Sequence, residues 1–473
     1  MTDSSGVAST AGIPTSAAPT AASRRTRVEE IVFGVTKPRT LDGVPRIALL
    51  GALVVAGFVI AIARTPMHSW NVLWAEDGAV FIPDALVGSP LVIFEPYAGY
   101  MHLVPRISAM IAAQFPLQVV PLAVTIAAAL VISLAAAAGF AFLETRIRSI
   151  PLRLAAWIAM LALPIMGAEA ANNLANLHWY LMVAAFCAVV IRARSTAMTV
   201  VQCVVVVAAV MSDPLTLLLL PVVAFRWWLL PSRRDRSLVV AFITAGVIQL
   251  IVVLAGAIGG EGRPAPTGFP TPGDLLDFYS YRVVLTAVVG LTRAQALGET
   301  GPLALPGLAT AAATAVLIAM AYRDFDRRVV ISAFGAGSIL FAAIVYSLQW
   351  TMLEPGGARS LYAGDRYAVV PTALLIIALV LAADAFAAHR RRSWARRVIG
   401  VAVLIAIAIP VALDYRSANY REGAPPWDAA LQEAAALCDA GDDLDGFILV
   451  RSAPLQWGGV LISCTRVTDA VSG

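Results

Sequence analysis

Continuous apolar runs of membrane-spanning length recur along this chain and leave it very few folds. LQVVPLAVTIAAALVISLAAAAGFAF, beginning at Leu117, is one of them. Backbone N–H and C=O groups find no water in hydrocarbon, so only helices and closed barrels cross it. A barrel strand needs strict alternation over about ten residues, and these runs do not alternate. About 20 apolar residues suffice for a crossing helix. With 59% of its residues hydrophobic and 14% charged, the chain reads as an all-α polytopic membrane protein.

Eleven spans are expected: Ile47–Ala63, Leu117–Leu143, Leu154–Ala171, Trp179–Ile191, Ala197–Met211, Leu215–Leu230, Leu238–Ile258, Leu305–Tyr322, Val329–Tyr346, Tyr367–Ala387 and Val398–Leu413. The run from Val283 is too short to cross and reads as re-entrant or interfacial. Arginine sets the orientation. SRRTR, RIR, RAR, RRDR, RDFDRR and HRRRSWARR occupy every second connection. The N-terminus is therefore expected in the cytoplasm and the C-terminus outside a bacterial inner membrane. The net charge of +4 then reflects topology, and no nucleic-acid partner is implied.

Three regions follow. Residues 1–45 read as a largely disordered cytoplasmic tail, 46–413 as the membrane core, and 414–473 as a small α/β segment outside. The first apolar run starts too late for a cleavable signal and reads as an anchor. In the last segment, APPWDAALQEAAALC has helical spacing, and GFILVRS and GVLISCTRV read as strands. An oxidising compartment and a small core favour a Cys438–Cys464 disulfide there. Cys187 and Cys203 lie in apolar spans as small hydrophobes.

The unusual polar residues collect in the outer connections. The first holds WAEDGAVF, with Glu76 and Asp77 adjacent, then FEPYAGY and MHLVPR. Later ones hold NNLANLHW after Glu169, SDP around Asp213, and a stretch with Arg359, Asp365 and Arg366. Trp, Tyr, His, acids and single arginines in this mixture suit a shaped cavity better than a solvated rim. Glu169 near a helix end is costly unless it is paired or wet.

A carboxylate on the outer face can deprotonate an acceptor hydroxyl. An arginine can neutralise a departing phosphate through a bidentate fork. Nucleotide sugars are absent outside the cell, so an activated donor would arrive in the lipid as a polyprenyl phosphate. At Glu76–Asp77, with the long first outer loop, the span number and the external C-terminal segment, the chain resembles the GT-C superfamily of membrane glycosyltransferases, of actinobacterial type. That resemblance implies transfer from a polyprenyl-phosphate-linked sugar donor to an envelope polysaccharide, glycolipid or protein acceptor.

On this reading Asp77 is the general base and Glu76 positions the acceptor or a cation. Adjacent helical residues point about 100° apart, so one acid serves the substrate while the other caps a turn. Arg366, then Arg106 or Arg359, would hold the donor phosphate. His102 and Arg106, four apart, share a face if helical, although Pro105 counts against it. His178 with Asn172, Asn173 and Asn176 reads either as a hydrogen-bonded cap or as a sugar contact. Glu169 and Asp213 join the substrate-binding set, Asp213 having a tight turn before Pro214 as its simpler role. No cofactor motif is evident, and the acid pair leaves room for a divalent cation. A transporter or flippase of lipid-linked saccharides is the alternative, although no two-fold repeat is visible.

Overall fold

The computed structural model describes the chain except for residues 1–27, 30–31, 34–43, 261–265, 267, 301–324, 354–363, 388–393, 417–418, 456–457 and 473. The expected span at Leu305–Tyr322 and the candidate Arg359 therefore lie outside the described residues.

The molecule is mostly helical. Five helical segments are long and apolar enough to cross a membrane: Pro45–Arg64, Leu117–Leu143, Arg233–Gly259, Arg328–Leu348 and Asp365–Phe386. Shorter apolar helices stand between them. In chain order the main elements are α1 Val44–Arg64, α2 Leu103–Ala112, α3 Val120–Leu143, α4 Ile150–Ala162, α5 Leu177–Val190, α6 Thr196–Val210, α7 Leu220–Leu229, α8 Arg233–Gly259, α9 Phe325–Leu348, α10 Val369–Ala387 and α11 Trp394–Leu413. α12 Trp427–Ala440, β1 Phe447–Arg451, β2 Gly459–Ser463 and α13 Cys464–Ser472 close the chain.

α5 and α10 form the middle of the bundle. All fourteen residues of α5 are buried, as is 89% of the best apolar window in Asp365–Phe386, against 17% in Pro45–Arg64. α5 packs between α3 and α6, and α10 touches α4, α5, α9 and α11. α1 lies on α3 and α8 on α6, and their other sides expose large apolar residues such as Val55, Val59, Val247 and Ile251.

Several runs expected as single helices are broken, and proline is the cause. α4 begins at Ile150 and stops at Ala162, short of the expected Ala171. Leu163, ahead of Pro164, is extended with ψ 137°, because the proline ring excludes the helical conformation for the residue before it. The chain from there to Asn176 has only short turns, so Glu169 sits in a buried loop and not near a helix end. Leu215–Leu230 likewise starts as a 3₁₀ turn from Pro214 before α7.

In the last segment β1 and β2 pair antiparallel, with Val450 opposite Val460. The expected second strand ends at Ser463, and the residues from Cys464 are helical. Cys438 of α12 and Cys464 of α13 are joined, with Cα atoms 5.7 Å apart. This unit is built into the long connection between α1 and α3. Ala453 N–H donates to Leu73 O at 2.9 Å, and Ala75 N–H returns a bond to Ala453 O. Trp427 donates its backbone N–H to Asn71 O at 2.8 Å and its indole N–H to Leu117 O at 2.8 Å. A Cβ on Gly78 would stand 3.0 Å from Ser452 Cβ and 3.2 Å from Val460 Cγ2. A larger residue at Gly78 would press on both side chains, so glycine lets the Ser452 and Val460 side chains sit close against this turn.

Candidate functional site

WAEDG turns from an extended segment, held against Ala453, into a π-helical turn at Asp77–Phe81. That junction sends the two acids in different directions. Asp77 is fully buried and points into the protein, where its two oxygens accept the backbone N–H groups of Leu174 and Ala175, each at 2.9 Å. Glu76 points the other way, into a cavity of about 400 Å³, and among the described residues its Oε2 has no hydrogen-bond partner.

The cavity is lined by parts distant in sequence. The long connection between α1 and α3 supplies Glu76, Phe81, Tyr97, Tyr100 and His102. α5 and the turn before it supply Asn176, His178 and Trp179. Asp213, Gln349, Arg366 and Tyr367 complete the polar wall, and Val253 and Ala257 of α8 form an apolar side. His102 precedes α2 and stacks on Tyr100 at 4.2 Å between ring centroids. Its Nδ1 lies 3.2 Å from Tyr100 O. Its neighbours are pinned: Met101 N–H donates to Gln249 Oε1 and Leu103 N–H to Met211 O. His178 Nε2 stands 3.3 Å from Asp213 Oδ2, and Asp213 Oδ1 accepts Leu215 N–H at 2.7 Å. Asp213 thus makes its expected turn and lines the cavity as well.

Arg366 Nη1 is 2.5 Å from Glu169 Oε1, both side chains being nearly buried. Its Nη2 donates to Tyr367 Oη at 3.3 Å, and that hydroxyl donates to Gln349 Oε1 at 3.2 Å. Glu169 does not line the cavity. It fixes the arginine that does, and so relieves its own burial. Glu76 is close enough to Arg366 for the two charges to interact.

Besides Asp77 and Glu169, two further candidates sit outside the cavity. Arg106 does not share a working face with His102. It bonds Asp84 Oδ2 at 2.9 Å and lies over the Phe81 ring at 5.6 Å, backing the cavity wall. Asn173 donates to Glu169 O at 2.7 Å, and its Oδ1 accepts from the Asn176 side chain at 2.8 Å. It shapes the loop, and Asn176 is the residue that faces the cavity.

The loop from Leu163 to Asn176 is irregular backbone inside an apolar protein, where every polar group requires a partner. Asn172 turns it at φ 50°, a left-handed conformation that asparagine tolerates. Its side chain donates to Ala61 O and Thr65 Oγ1. Tyr180 Oη donates to Ala170 O at 3.0 Å. From the C-terminal segment, Asn419 donates to Gly167 O and the buried Arg421 donates to Ala171 O and Asn172 O. Asp77 and Arg421 therefore grip opposite polar edges of one loop. Burial pushes the Asp77 carboxyl up to about 7, against the two N–H groups that favour its charged form. Burial likewise lowers Arg421 to about 10, with Asp77 opposing.

The aromatic residues Tyr97, Tyr100, Trp179 and Tyr367, with Gln349 and Arg421, were not among the residues singled out from sequence. The aromatics had a signal, their clustering in outer connections. Arg421, one of several arginines after the last span, had none. Among the described residues no three His, Cys, Asp or Glu side chains cluster to hold a metal ion.

No protein-family model matches this chain, and neither does any curated protein. Among solved structures, the archaeal oligosaccharyltransferase AglB from Archaeoglobus fulgidus, in complex with an inhibitory peptide and a dolichol-phosphate, is similar at 14% identity and a TM-score of 0.40. The match covers 83% of this chain and 58% of that one. At that degree of likeness function does not transfer.

Proposed function

We propose that this protein is a membrane glycosyltransferase that moves a sugar from a polyprenyl-phosphate donor to a hydroxyl acceptor at the outer face. The observation that carries the reading is Glu76, whose carboxylate enters an aromatic-lined cavity with one oxygen unpaired among the described residues, near an arginine held by Glu169. A carboxylate so placed can take a proton from a bound hydroxyl. The role of base, expected of Asp77, passes to Glu76, because Asp77 spends both oxygens on backbone N–H groups.

In this mechanism the acceptor oxygen attacks the anomeric carbon as Glu76 accepts its proton. The bond from that carbon to the phosphate oxygen breaks, with inversion, and polyprenyl phosphate leaves. Arg366 stabilises the charge gathering on the phosphate, held at the cavity by Glu169 and Tyr367. Asp213 orients His178, and the aromatic side chains offer flat apolar faces for a sugar ring. The acceptor is an envelope polysaccharide, glycolipid or protein.

The test is a transfer assay with purified protein in lipid, using a panel of polyprenyl-phosphate sugars and following release of polyprenyl phosphate. Acceptor-dependent release with one donor supports the reading. Movement of intact donor across the bilayer, with no release, would move the protein to the transporter class.

A further inference from the structure

α5, α6 and α8 carry the cavity at one end and arginines at the other. His178 opens α5 and Arg192 follows its last turn. Along α8, Arg233 and Ala257 are separated by about 36 Å at 1.5 Å per residue, roughly the thickness of a bilayer core. At the arginine end is a second cavity of about 540 Å³, lined by Arg192, Arg194, Arg233, Arg234 and Asp235. The acids described there are already engaged, Glu29 Oε1 accepting from Arg192 at 2.7 Å. Asp235 Oδ1 accepts from Arg226 at 2.9 Å, and Oδ2 from Arg192 at 3.1 Å and from Ser232. Arg233 and Arg234 are exposed.

Beside it an apolar groove of about 430 Å³ runs between α7 and α8, with Val223, Trp227, Val240 and Ile243 among its walls. Val240 and Ile243 lie roughly 10–15 Å along α8 from Arg233, the separation of a phosphate from the upper acyl carbons of a glycerophospholipid. Trp228, 62% exposed, stands at the same end of α7, where indoles favour the membrane interface.

We infer that the arginine-lined cavity and the adjoining α7–α8 groove together form a binding site for an anionic phospholipid, headgroup phosphate among the arginines and one acyl chain in the groove. Charge complementarity selects the headgroup, and the continuous apolar wall selects a lipid over a free anion. The site is at the opposite end of the bundle from the Glu76 cavity and does not depend on the function proposed for it.

The experiment uses the full-length protein in detergent and fluorescence anisotropy of chain-labelled phosphatidylglycerol and phosphatidylcholine. Phosphatidylglycerol should bind at least about tenfold more tightly. Replacing Arg194, Arg233 and Arg234 together by Gln should bring the two lipids within about twofold, while Ile243→Trp should weaken phosphatidylglycerol by filling the groove. Should the triple variant not fold, wild-type protein in 1 M NaCl replaces it, since screening to about 3 Å must erase the preference. Equal binding of the two lipids by wild type overturns the inference, as does a preference that survives salt or the triple substitution. Complete displacement by millimolar inorganic phosphate also overturns it, leaving only an anion site.

Discussion

Glu76 and Asp77 are neighbours in sequence and do opposite work. A loop-to-helix junction separates their directions, so that one carboxylate reaches the cavity and the other holds up the loop behind it. Glu76→Gln keeps size and polarity but removes the base, and should lower turnover by on the order of 10²-fold or more with the melting temperature unchanged. Full activity in that variant would remove the base from our mechanism. Asp77→Asn should act on stability instead. Its amide accepts one of the two N–H groups and turns an NH₂ toward the other, leaving a buried donor unsatisfied at a cost of about 1–3 kcal/mol. The wild type should also show a pH dependence of definite sign. The Asp77 carboxyl sits at about 7 when folded, above its ordinary value of 3.8, so the folded state holds the proton more tightly. The stability from this group is present below about pH 4 and is lost as pH rises through about 7. Melting curves across that interval should slope downward in the wild type and lose the slope in Asp77→Asn.

Between residue and molecule, the buried loop from Leu163 to Asn176 and the C-terminal unit act as a pair. Pro164 ends α4 inside the apolar interior and exposes backbone groups that the loop cannot satisfy alone. Asn419 and Arg421 cover its carbonyls, and the β1–β2 unit pins the segment that carries Glu76. The Cys438–Cys464 bridge closes a loop of sequence separation 26 within that unit, worth about 3.5 kcal/mol in the chain-entropy account. Isolation without reductant should show no free thiol at either position. Reduction should lower both the melting temperature and turnover, since loosening this unit loosens the grip on Glu76. Unchanged activity after complete reduction would separate the unit from the site.

For the whole molecule, the arginine pattern predicts a cytoplasmic N-terminus and an external C-terminus. The α12–α13 unit and the Glu76 cavity would then face outside, and the arginine cavity the cytoplasm. In a background without Cys187 and Cys203, a cysteine at the exposed position Asp445 should react with a membrane-impermeant maleimide in intact cells, and one at Arg233 only after the cells are permeabilised. Labelling of both from one side would overturn the topology and, with it, the outer-face donor. The helical class was legible because hydrocarbon forces backbone hydrogen bonding into local helices, so composition and run length carry the signal. The residues of the site were partly legible for the same reason, since a charge in an apolar chain is costly and stands out. Their partners were not legible. Glu169 and Arg366 are 197 residues apart, and nothing local in either names the other. Nor could a dipeptide say which acid faces the cavity, because that depends on where the chain leaves its contact with Ala453 and enters the Asp77–Phe81 turn. Sequence by itself determined the kind of fold and the short set of polar residues with a job to do. Tertiary structure alone decided which of them line the cavity and which brace the loop behind it, because the groups that meet a buried carboxylate's oxygens come from distant parts of the chain.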